Sequence, residues 1–90
     1  MALAEQMQSL AIEMFDRVRA TGLLRDDVTF LDVEFMLEFL AGFRLGDASR
    51  SAGLRQRYLA VIIDGLRAGP RTPLPSQAPT WLEQTERWIK

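Results

Sequence analysis

Residues 30–43, "FLDVEFMLEFLAGF", hold four of the chain's five phenylalanines. Thr29 precedes them with a hydroxyl able to accept a backbone N–H, and Asp32 stands where a carboxylate both closes the cap and meets the helix dipole. A helix is therefore predicted from Phe30. At about 100° per residue Glu34 and Glu38 share one narrow sector, and the remaining arc carries two apolar faces. Phe30, Val33, Leu37 and Leu40 form one face; Phe35, Met36, Phe39 and Phe43 form the other. A helix apolar around most of its circumference needs cover on more than one side. Each phenylalanine left wet forfeits about 1.5–3 kcal/mol, a large share of a small domain's stability. The second face is therefore expected to meet another chain or a further part of the same polypeptide.

Outward from this segment the pattern stays helical, and no strand is predicted. Ala2 to about Ala20 sets Leu3, Met7, Leu10, Met14 and Val18 on one stripe, with Glu5, Glu13 and Asp16 opposite, and Thr21-Gly22 ends it. "LLRDDV" is a short connector, and the polar residues 44–52, "RLGDASRSA", read as a surface loop. A third helix is expected from about Ser51 to Ala68. Its broad apolar arc comprises Leu54, Tyr58, Val61, Ile62 and Gly65, and the glycine would admit a close neighbour. Gly69-Pro70 stops it. All four prolines then fall within residues 70–79, an extended connector to a short last helix opened by Thr80 and Glu83 and fastened by Trp81, Leu82 and Trp88.

Ninety residues, 48% hydrophobic and 26% charged, fit one soluble domain, residues 1–90, with room for a single core. The N-terminus has neither a basic leader nor a long apolar run, so a cytoplasmic chain with no membrane anchor is expected. No cysteine and no histidine are present, which removes the usual zinc ligands and the commonest general base. No enzyme, no cofactor and no metal site are expected. A net charge of −1 offers phosphate no general attraction.

Glu34 and Glu38 read as a solvated stripe rather than a carboxylate pair for catalysis or a metal. Asp64 and Arg67 read as a surface ion pair, with an interface contact as the alternative. Arg17, Arg19 and Arg25, and likewise Arg50, Arg55 and Arg57, lack interleaved aromatics and read as solvated. Met7, Leu10, Met14 and Phe15 could line an apolar ligand cavity, although such stripes more often fill a core.

"RATGLLRDDVTFLDVEFML" followed by "RQRYLAVIIDGLRAGPRTPLPSQAPT" resembles the C-terminal region of TetR-type transcriptional regulators over roughly residues 17–80. The resemblance implies an all-α ligand-sensing and homodimerisation domain: a small bundle of about four helices, completed by its two-fold mate into an intermolecular four-helix bundle. It places the dimer contact on the second and third helices, hence on Phe35, Met36, Phe39, Phe43, Leu54, Tyr58, Val61, Ile62 and Gly65. It makes the first helix a wall of a pocket for a small apolar effector, with Met7, Leu10, Met14 and Phe15 as the contacts. The family's helix-turn-helix is absent from these residues, so operator DNA is expected to be reached only through a missing N-terminal domain, and the chain reads as a portion of a regulator. The phenylalanine-rich second helix departs from the family pattern and points to a filled pocket as the alternative. The rival reading is a stand-alone helical protein–protein interaction module.

Overall fold

Side-chain caps set where the helices begin. In the computed structural model, which describes residues 2–70 and 72–87, there are four: α1 (Ala2–Ala20), α2 (Phe30–Ala41), α3 (Ala48–Leu66) and α4 (Trp81–Glu86). The Asp32 amide donates to the Thr29 hydroxyl at 3.3 Å, and the Asp32 carboxylate accepts from the Thr29 amide at 2.9 Å. The short aspartate thus closes the capping box of α2. Thr80 and Glu83 do the same for α4. Gly22 ends α1 in the left-handed conformation, φ +78°.

Two boundaries of α3 differ from expectation. Asp47, rather than a residue near Ser51, caps the helix by accepting from the Arg50 amide at 2.8 Å, so the preceding loop is shorter. Ser51 falls inside the first turn and is buried, its hydroxyl both accepting from and donating to the Leu45 backbone at 2.9 Å. At the other end Leu24 and Arg67 form an antiparallel bridge, with Arg25 N donating to Leu66 O and Ala68 N to Leu23 O, each at 2.8 Å. This pairing draws the chain out of helical geometry after Leu66. Among the described residues that bridge is the only β pairing, and the fold is all-α.

Aromatic and arginine contacts join the helices. The Phe15 ring of α1 meets Phe30 edge-on at 6.0 Å, and Phe30 stacks on Trp81 at 6.1 Å, linking α1, α2 and α4. Arg19 adds a hydrogen bond to the Val28 carbonyl. On α2, Glu38 pairs with Arg87, whose guanidinium lies 4.9 Å from the Phe35 ring. Phe43 meets Tyr58 edge-on at 5.5 Å, and Arg55 donates to Phe43 O at 2.8 Å, fixing α3 against the end of α2. Leu82 remains exposed, and Trp88 lies outside the described residues.

The enclosed core is small: Val28, Leu31 and Leu54 are its buried apolar side chains. Leu31 belongs to neither predicted face of α2. No described residue of α1 is buried. The accessible surface is 7235 Å², against about 5,300 Å² for a closed fold of this mass. The radius of gyration, 15.0 Å, likewise exceeds the roughly 12 Å of a compact 90-residue domain. Four helices are present, yet they do not close around one interior. No helix among the described residues is long and apolar enough to cross a membrane.

Candidate interaction groove and adjoining cleft

Between α2 and α3 runs an open apolar groove of about 270 Å³ lined by Met36, Phe39, Leu40, Phe43 and Ile62. Phe39 is 72% exposed and Val61, beside Ile62, is 66% exposed. Tyr58 packs against Phe43. Five of the nine residues expected at a dimer contact, Met36, Phe39, Phe43, Tyr58 and Ile62, therefore lie in or against one surface, and Val61 is exposed. The other three take different places. Leu54 is only 4% exposed and belongs to the chain's own core, because helical periodicity assigns a direction and not a depth. Phe35 lies beneath the Arg87 guanidinium and so faces α4. Gly65 lines a separate, adjoining cleft.

That cleft, of about 380 Å³, is walled by Val28, Met36, Ile62, Leu66, Leu74 and Pro75, with Arg25 and Asp32 supplying its polar groups. Met36 and Ile62 line both hollows. A Cβ placed on Gly65 would meet nothing within 4 Å.

Arg25 organises this end of the molecule. It is 8% exposed, and its guanidinium pairs with both Asp27 carboxylate oxygens, Nε to Oδ1 at 2.6 Å and Nη2 to Oδ2 at 3.0 Å. It also donates to Gly65 O at 3.2 Å and Thr72 O at 2.9 Å, while Asp27 accepts from the Leu74 amide at 3.3 Å. Expected as a solvated arginine, it is instead the knot joining the connector, the end of α3 and the proline-rich segment. Local sequence pattern does not show this role, since two of its partners lie 40 and 47 residues away. The adjacent "RDD" hinted at a local ion pair but not at burial.

The Arg25 hydrogen bond holds the Asp27 carboxyl well below the usual range, outweighing the opposite push of burial, and the Leu74 N–H adds to it. Glu38 is lowered too, first by its hydrogen bond from Arg87. Unfolded aspartate and glutamate titrate near 3.9 and 4.3, so the unfolded chain binds more protons as the pH falls through that range. Stability present above about pH 4 should then be lost progressively below it. Urea midpoints measured from pH 6 to pH 3 should show the decline, and Asp27→Asn should flatten it.

The expected effector residues do not converge. Leu3, Met7, Leu10, Met14 and Val18 form a stripe between 49% and 68% exposed, whereas Phe15 points to Phe30. Met7, Leu10 and Met14 thus share no enclosed site with Phe15 in this chain, because the stripe and the attached edge of α1 point in different directions. Asp64 and Arg67, 3.6 Å apart and mostly exposed, are a surface pair. Glu38 is engaged by Arg87, and no group of three or more metal-ligating side chains occurs among the described residues.

No family model, curated protein or solved structure matches this chain. The segments "GLLRDD", "DGLRAG" and the start of "PLP" meet at Arg25 and Asp27.

Proposed function

We propose that this chain is the regulatory, homodimerising portion of a TetR-like transcriptional regulator, acting in the cytoplasm and without catalysis. The observation that carries the reading is the α2–α3 groove, whose most exposed ring, Phe39, is largely wet in the single chain. Its occupant is a second copy, with α2 and α3 of each protomer joining in a four-helix bundle. In the intact regulator an effector would shift a two-state equilibrium that sets the separation of two DNA-reading heads. Operator contact would come from outside these 90 residues.

Fusing the whole chain to a helix-turn-helix domain deprived of its own dimer contact tests this reading. The fusion should restore operator binding and repression, and the Phe39→Asp fusion should not. Failure of the parent fusion to repress, at normal protein level, removes the reading.

A second reading is favoured by one observation. The wet α1 stripe points away from the attached edge of its helix, so the chain offers an uncovered face besides the groove. A helical interaction module whose partner is a different protein would use it. Such a module would leave the fusion monomeric and silent.

A further inference from the structure

We propose that the cleft between Gly65 and the 74–75 segment is a binding site for a neutral, mainly apolar small molecule carrying one N–H or O–H group, which donates to Asp32. The proposal deepens the regulatory reading by giving an effector a place, and it has its own test.

Its size, about 380 Å³, sits at the small end of the roughly 300–1,000 Å³ found for ligand sites. The apolar walls come from four parts of the chain: Val28 of the connector, Met36 of α2, Ile62 and Leu66 of α3, and Leu74 with Pro75. A guest would touch all four at once. Gly65 keeps one side open, since any side chain there would project into unfilled space.

The polar groups select the guest's chemistry. Arg25 is nine-tenths buried and bound to Asp27, Gly65 O and Thr72 O, and its charge is met by the Asp27 carboxylate, so the cleft makes no demand for an anion. Asp32 differs. Its Oδ2 accepts from both the amide and the hydroxyl of Thr29, whereas Oδ1 accepts no hydrogen bond among the described residues. Those two donors and the α2 dipole already stabilise the carboxylate charge, so a neutral donor suffices to complete its bonding. The guest would also touch Met36 and Ile62, which line the Phe39 groove, so occupancy and self-association share two side chains.

N-phenyl-1-naphthylamine is a suitable probe: neutral, largely apolar, with one N–H, and brighter in an apolar site. Titration into the full chain should give saturable enhancement at one probe per chain. Gly65→Leu, which fills the cleft and favours helix, should weaken binding at least tenfold with an unchanged circular dichroism spectrum. Leu74→Trp, at another lining position of the cleft, should do the same and serves if Gly65→Leu misfolds. The N-methylated probe, unable to donate, should bind at least fivefold more weakly. Combined Met7→Ser and Met14→Ser on α1 should change nothing. Absence of saturable binding, undiminished binding by a folded cleft-filling variant, or loss caused by the α1 variant instead would overturn the site. Light scattering on the same samples separates the two proposals. A monomer that binds the probe in the cleft refutes the dimer and leaves the site standing; a dimer whose probe binding ignores Gly65→Leu refutes the site alone.

Discussion

Phe39→Asp should yield a soluble, fully helical monomer, with a dissociation constant for self-association raised at least about 100-fold, equivalent to about 2.7 kcal/mol. The magnitude follows from the environment the ring would enter. In a closed bundle it would sit at the centre of an apolar groove beside Met36, Leu40, Phe43 and Ile62, where an aspartate must shed its water and finds no described cation lining the walls. Loss of a central aromatic anchor alone reaches 2 kcal/mol or more at such contacts. The same substitution should cost the isolated protomer almost nothing, because Phe39 is already 72% exposed there and surface changes usually stay within about 0.5 kcal/mol. Sedimentation equilibrium and thermal melts of parent and variant across a concentration series check both halves. Ile62→Asp is a less discriminating variant: Ile62 is half-buried within the chain, so its loss mixes folding with association.

Arg25→Ala should be the most damaging single change to the protomer. It leaves the Asp27 carboxylate without its bidentate partner and removes the donor from Gly65 O and Thr72 O. Only the arginine is buried, and Asp27, whose side chain is 30% exposed, keeps part of its hydration, so the cost comes mainly from the hydrogen bonds lost and from the backbone carbonyls left without a donor. Here the same side chain also ties three segments, so the end of α3 and the proline-rich stretch lose a common anchor. The melting midpoint should fall by about 10 °C or more, a large shift for a domain of this length. Arg25→Lys should recover little, since an ammonium cannot pair with both Asp27 oxygens and reach two carbonyls in the same planar arrangement. Midpoints within about 2 °C of the parent, followed by circular dichroism, would show that the knot does not hold these segments together.

What was legible in the sequence was local. Thr29 with Asp32 and Thr80 with Glu83 announced helix starts through hydrogen bonds spanning three residues, and Gly22 announced a stop through its own backbone freedom. The all-α class and the excess of apolar surface on α2 followed from periodicity. The α3 start is ambiguous in the sequence because Asp47 and Ser51 are both competent caps, and in the structure Ser51 is engaged by the Leu45 backbone while Asp47 caps the helix. The candidate site was legible in part: Phe39, Phe43 and Ile62 share the groove, but nothing in α2's pattern separated Phe35, which α4 covers through Arg87. Arg25 was hidden for the opposite reason, its role resting on partners distant in the chain. The stripe of α1 reads identically whether wet or covered, and only the structure shows that the protomer leaves it wet.

All of this rests on a protomer that buries few apolar side chains and leaves many large ones wet. Its surface exceeds that of a closed fold by roughly 1,900 Å², above the approximately 800 Å² that a standard contact removes from each partner. Sedimentation velocity of the unmodified chain at tens of micromolar tests this most directly. The account predicts a species of twice the 10.2 kDa chain mass. A single, well-folded species at the chain mass throughout that range, with no concentration dependence, would contradict it.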